Sequence, residues 1–125
     1  MSTPPKILVV DDESYMHLLL RHHLLRDGYQ MLNARSGREA LELAGREQPA
    51  LVIMDVMMAD LDGLATLKEL KQAEATRAIP VIMITANALN VTRQEAETSG
   101  AALFLTKPFS PTQLMATLRE LLAQA

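Results

Sequence analysis

Lys6-Ile7-Leu8-Val9-Val10-Asp11-Asp12 is the stretch on which the reading of this chain turns. Its apolar run is too short for a helix and ends abruptly in two carboxylates, the pattern of a buried strand with its charge at the carboxyl edge. Two more runs repeat the pattern: Leu51-Val52-Ile53-Met54 meets Asp55, and Leu103-Phe104-Leu105-Thr106 meets Lys107-Pro108. If these strands are parallel neighbours, three carboxylates and one ammonium converge in one crevice. Carboxylates held close together disfavour one another's charged forms. The expected remedy is a hard divalent ion, and the expected chemistry involves phosphate.

Working outward, strand and helix alternate five times. Strands are expected at 6–10, 30–34, 51–54, 81–84 and 103–106. Helix one is expected from Ser14 to Asp27, with Met16, Leu20 and Leu24 on one face and Gly28 as a left-handed stop. Ser36-Gly37-Arg38-Glu39 has the spacing of a capping box in which serine and glutamate satisfy each other's N–H groups. Helix two then turns Ala40, Leu43 and Ala44 inward, and helix three Leu64, Leu67 and Leu70. Helix four falls between Asn90 and Ser99 with a weak apolar face. Ser110-Pro111-Thr112-Gln113 opens helix five, which carries Leu114, Leu118, Leu121 and Leu122. Near-continuous apolar strands between amphipathic helices predict an α/β fold, a parallel sheet covered on both faces. The architecture expected is a flavodoxin-like, doubly wound (βα)5 fold with five strands in the order 2-1-3-4-5. Residues 1–5 are expected as a loose tail and 6–123 as one domain.

The 125 residues are 49% hydrophobic, enough for a single core. A net charge of −3 with scattered basic residues gives no footprint for nucleic acid or anionic lipid. The absence of cysteine excludes disulfides and thiolate chemistry. The first residues lack the apolar core of a signal peptide, and no run approaches the ~20 residues of a membrane span. The expectation is a soluble cytoplasmic protein.

In an open α/β sheet, ligands bind beyond the carboxyl ends of the strands where strand order reverses. In the order 2-1-3-4-5 that point lies between strands one and three, which end in Asp11-Asp12 and Asp55. Strand four beside them ends in Thr85 and strand five in Lys107. Such a set suits phosphoryl transfer to a carboxylate. A cation bridges the phosphoryl oxygens, with donors fixed around them. Mg²⁺ typically takes one or two carboxylates plus phosphate oxygens and water. Lys107 supplies a point charge, Thr85 a hydroxyl, and one carboxylate acts as the nucleophile.

Val10-Asp11-Asp12-Glu13, Met54-Asp55-Val56-Met57-Met58, Asp60-Leu61-Asp62-Gly63, Ile84-Thr85-Ala86 and Phe104-Leu105-Thr106-Lys107-Pro108-Phe109 together resemble the motif set of the response regulator receiver domain, a switch of two-component and phosphorelay systems. The resemblance runs from about Lys6 to Leu122. It implies that Asp55 accepts a phosphoryl group from a phosphohistidine donor, a histidine kinase or a histidine phosphotransfer protein. It implies that Asp11 or Asp12 binds Mg²⁺ together with Asp55 and the backbone carbonyl of Met57. It implies that Thr85 and Lys107 contact the phosphoryl oxygens and that small Ala86 leaves room for them. It further implies a cis bond before Pro108, and Phe104 as a switch aromatic that turns inward as the threonine moves. Output then lies at the helix four–strand five–helix five face, with no nucleic acid bound directly, no membrane, and no enzymatic turnover beyond the domain's own phosphoryl transfer and autodephosphorylation.

There are departures from the family pattern. Ala59 stands where the family usually has proline, and Ala102-Leu103 where an acidic pair is common. Phe104 has no hydroxyl to hold its inward state. Met57 and Asn87 occupy positions that help set the phosphate lifetime in this family. His17, His22 and His23 lack the four-residue step that puts two ligands on one helical face and read as ordinary helix-one surface. A phosphohydrolase of the haloacid dehalogenase type would need a second aspartate where Met57 stands. An FMN carrier would need a phosphate-cradling loop where Asp11-Asp12 stand.

Overall fold

The computed structural model describes residues 3–57, 62–86 and 93–124, and in it the expected alternation is complete. The elements are β1 (Lys6–Val10), α1 (Ser14–Arg26), β2 (Gln30–Ala34), α2 (Gly37–Glu47), β3 (Leu51–Asp55), α3 (Gly63–Gln72), β4 (Val81–Thr85), α4 (Arg93–Thr98), β5 (Leu103–Thr106) and α5 (Pro111–Ala123). The strands form one sheet in the order β2-β1-β3-β4-β5, every neighbouring pair parallel. Strand order reverses between β1 and β3.

The unbroken apolar runs follow from burial on both faces. Leu8, Val10, Val52, Met54, Val81, Met83 and Phe104 face Ala40 and Ala44 of α2, Leu67 and Leu70 of α3 and Ala96 of α4. The alternate residues Ile7, Val9, Leu51, Ile53, Ile82 and Ile84 face Met16, Leu20 and Leu24 of α1 and Leu114, Met115 and Leu118 of α5. Leu43, Leu64, Leu121 and Leu122 are partly buried at the margins of these layers.

Helix ends follow local chemistry. At Gly28 the backbone turns left-handed (φ 90°), and the next amide, Tyr29 N–H, reaches back to the Leu24 carbonyl at 3.0 Å, closing α1. The Ser110 hydroxyl accepts Gln113 N–H at 3.2 Å, as the sequence predicts. At α2 the outcome differs from the expected box. Ser36 accepts Glu39 N–H at 3.1 Å, but the Glu39 carboxylate accepts the N–H of Arg35, one residue before the cap, at 2.7 Å. The far end of α2 is closed by Gln48 in a left-handed conformation (φ 49°), a place where glycine is more usual. Helix α4 is described over Arg93–Thr98; Val91 and the rest of 87–92, including Asn87, lie outside the described residues, as does Ala59.

Candidate functional site

Strand register gathers the polar residues. Val10 pairs with Met54, so Asp11 and Asp55 are the next residues along two neighbouring strands. Asp55 pairs with Ile84, and Thr85 with Thr106, so Thr85 and Lys107 occupy the same rim. Lys107 Nζ lies 3.2 Å from Asp55 Oδ2, 3.5 Å from Asp11 Oδ2 and 3.8 Å from Glu13 Oε1. Asp11 and Asp55 are buried, at 2% and 5% exposure, whereas Asp12 and Glu13 are exposed.

Each buried acid is tied to its own turn. Asp11 N–H donates to the Ala34 carbonyl at 3.1 Å, and Asp11 Oδ1 accepts Glu13 N–H at 2.9 Å. Asp55 Oδ1 accepts Met57 N–H at 3.0 Å, leaving Oδ2 toward Lys107. The Met57 side chain points into solvent, 48% exposed. Helix α3 starts hard against this turn: Gly63 N–H donates to Val56 O at 2.7 Å. A Cβ on Gly63 would collide with the Asp55 carbonyl oxygen and lie 2.7 Å from Val56 Cα. Only a residue without a side chain fits there, and Asp62 caps the helix through Ala65 N–H at 2.7 Å.

Thr85 is fully buried at the end of β4, and its carbonyl accepts Lys107 N–H at 2.8 Å. Ala86 follows it on the surface. The Lys107-Pro108 bond is cis. Phe104 lies deeper, three residues before Lys107 and buried, with the Arg93 guanidinium 5.7 Å from its ring centroid.

Burial drives the Asp11 carboxyl above the usual carboxylate range. The Glu13 N–H opposes that rise, Asp55 adds to it, and Lys107 opposes it, with a net upward shift. Burial also works against the Lys107 ammonium, but Asp11 and Asp55 together outweigh it, so Lys107 is raised and stays charged. Lys107 is a single cation beside the clustered carboxyl groups of Asp11, Asp12, Glu13 and Asp55. Oxygen atoms from Asp11, Asp12, Glu13 and Asp55 lie within 4.8 Å of one another. This all-oxygen set, buried on one side and open on the other, fits a hard divalent cation that keeps part of its water. Glu13 is the member that sequence reading did not single out, although it stands within the quoted Asp11-Asp12-Glu13 motif.

One reading is corrected. His17 is not helix surface: it is 7% exposed, its Nε2 lies 2.7 Å from the Asp11 carbonyl, and its Nδ1 lies 2.9 Å from the Asn33 side-chain amide. The signal was its spacing to Leu20 and Leu24, at three and seven residues along the buried face of α1. Nothing local announces its polar partners, which come from β2 and the acid turn.

A doubly wound sheet with an acid cluster and a lysine at its switch point defines a narrow class of α/β proteins. The model of the response regulator receiver domain matches residues 7–119. The alkaline phosphatase synthesis transcriptional regulatory protein PhoP of Bacillus subtilis is 38% identical over 120 residues, 96% of this chain and 49% of that protein. The chain thus spans about half the length of this relative. The chemotaxis response regulator CheY4 of Vibrio cholerae superposes with a TM-score of 0.86 at 32% identity, covering 95% of this chain and 99% of that one. The receiver domain of a sensor histidine kinase from Pseudomonas aeruginosa, with a magnesium ion coordinated in its active site cleft, gives 0.87 at 28% identity, covering 96% and 98%. The chain belongs to the response regulator receiver domain family. It is a signalling switch of two-component systems, regulated by phosphorylation, rather than an enzyme in the ordinary sense. Among the described residues, no helix is long and apolar enough to cross a membrane.

Proposed function

We propose that Asp55 is the phosphoacceptor and that its donor is a phosphohistidine on a histidine kinase or a histidine phosphotransfer protein. An Asp55 carboxylate oxygen forms a bond to phosphorus as the donor's N–P bond breaks, and the leaving imidazole takes up a proton from solvent. Asp11, Asp12 and Asp55, with the Met57 carbonyl, would hold Mg²⁺, which when bound offsets charge on the phosphoryl oxygens. Lys107 and Thr85 contact those oxygens, and Ala86 leaves them space. Autodephosphorylation is the same centre with water attacking phosphorus and the carboxylate leaving. The added charge draws Thr85 toward the crevice and biases Phe104 and the α4–β5–α5 face, where an output partner binds. The domain, residues 6–123 after a short tail, acts in the cytoplasm without touching nucleic acid itself.

The observation that carries this reading is Lys107 lying within 3.5 Å of both Asp55 and Asp11, beside carboxylates close enough to share one cation. Exposure to a small-molecule phosphodonor with Mg²⁺, followed by intact mass, tests it. Wild type gains one phosphoryl group and Asp55→Asn none. An Asp55→Asn variant labelled as readily as wild type would overturn the assignment.

A further inference from the structure

We propose that His17 is a positioning residue of the cation site. By this proposal its Nε2–H holds the backbone carbonyl of Asp11 and so fixes the Asp11-Asp12-Glu13 turn in the geometry a divalent ion needs. The inference rests on the reading above that this turn holds Mg²⁺.

A backbone carbonyl only accepts, so at 2.7 Å from Asp11 O the Nε2 atom must carry the proton. The other nitrogen faces the Asn33 amide at 2.9 Å, whose oxygen and NH₂ are interchangeable by a half-turn. With Oδ1 toward Nδ1, the Asn33 amide anchors the second ring nitrogen to β2. The ring spans from α1 to the end of β2 while resting on Asp11, the first residue of the acid pair. Asp11 is then gripped on both sides of its Cα: its N–H by Ala34 and its carbonyl by His17. The following peptide plane, which leads into Asp12, is set by that second grip. Arg35 adds a parallel tie, donating to Ser14 Oγ at 3.0 Å at the first turn of α1.

Like carboxylates repel, so an untethered turn would relax by swinging Asp12 and Glu13 outward, away from Asp55. Outer hydrogen bonds that orient metal ligands commonly matter about tenfold or more for affinity. A lone histidine among apolar helix residues is otherwise simply a satisfied core group. That simpler role predicts a loss of fold stability with no selective effect on the ion.

Two substitutions separate these roles. Gln places its amide NH₂ near the position of Nε2 and can still reach the Asp11 carbonyl. Asn ends near the position of Nδ1 and cannot. Mg²⁺ dissociation constants by calorimetry, with apo thermal midpoints alongside, are measured for wild type, His17→Gln and His17→Asn. We expect His17→Gln to stay within about twofold of wild type and His17→Asn to bind Mg²⁺ about five- to tenfold more weakly, at temperatures where both are folded. Equal affinities in Gln and Asn variants, whatever their melting points, overturn the proposal and leave the cation site standing. Failure of wild type itself to take up Mg²⁺ at millimolar levels overturns the cation site and this inference with it. If His17→Asn does not fold, Asn33→Ala, which removes only the outer support, is expected to weaken Mg²⁺ about two- to threefold; no change there overturns the proposal equally.

Discussion

Asp11, at the end of β1, has its amide, its carbonyl and both carboxylate oxygens engaged by Ala34, His17, Glu13 and Lys107. Phe104, in β5, has no side-chain hydrogen bond to make and is held by packing and by Arg93 above its ring. One side of the crevice is pinned by directional bonds; the other is kept in place by contacts that can be exchanged for others of similar strength. Directional bonds lose most of their energy over a small displacement, whereas apolar and cation–π contacts tolerate sliding and regrouping. This difference suits a molecule in which phosphate must meet fixed partners while a distant face repacks.

The largest break in the pinned side is expected from Gly63→Ala. The new methyl meets backbone rather than a flexible side chain, so α3 must shift away from the end of β3. A loss of about 2–4 kcal/mol in urea unfolding is expected, along with weaker Mg²⁺ binding. A stability within experimental error of wild type would show that this turn is not rigid. Next comes Lys107→Met, which leaves Asp11 and Asp55 without their internal cation. A loss of about 2 kcal/mol without divalent ion is expected, and the thermal shift on adding Mg²⁺ should exceed that of wild type because the ion replaces the missing charge. A smaller shift would mean that Lys107 helps the ion rather than competing with it.

On the movable side, effects should be smaller. Arg93→Ala removes the cation over Phe104 and should cost about 0.5–1 kcal/mol, shift the Phe104 ring signals in NMR, and leave Mg²⁺ affinity unchanged. A changed Mg²⁺ affinity would join two regions distinguished above. The smallest effect concerns Lys71, whose Nζ donates to the carbonyls of Arg77 and Ile79 at 3.1 and 2.6 Å and whose stem lies against Gly100 at the end of α4. Burial lowers its pKa below 10.5, so in the alkaline window just below that value the unfolded chain binds more protons than the folded one. Stability attributable to Lys71 should therefore rise with pH across that window. The wild-type minus Lys71→Met difference in unfolding free energy, followed as pH is raised toward 10.5, measures it; a flat or falling difference would contradict the buried placement.

The architecture was largely legible in the sequence because strands buried on both faces have little compositional freedom. The runs at Lys6, Leu51, Val81 and Leu103 appear where the pattern put them, with Asp55 and Thr85 as last strand residues rather than first loop residues. Asp11, Asp12, Asp55, Thr85 and Lys107 were legible because each follows such a run. What escaped depends on partners distant in sequence. His17 looked like surface because its acceptors belong to other elements. Glu39 was expected to reach Ser36, but the extended approach of Arg35 offers its N–H instead. Gln48 adopts a left-handed turn that its side chain does not advertise, and the need for glycine at 63 appears only when α3 is set against β3.

The parallel ladder has a consequence for how such a domain can vary. Each rim residue is addressed by counting along its own strand, since Val10 is level with Met54, Asp55 with Ile84 and Thr85 with Thr106. Inserting a single residue into β3 would push Asp55 outward by about 3.3 Å and turn alternate side chains to the wrong face. Extra residues in the connections at the opposite, amino-terminal ends of the strands would disturb none of these levels. Length changes should therefore be tolerated at the bottom of the molecule and punished within the strands, giving engineers a safe place to graft new segments without disabling the switch.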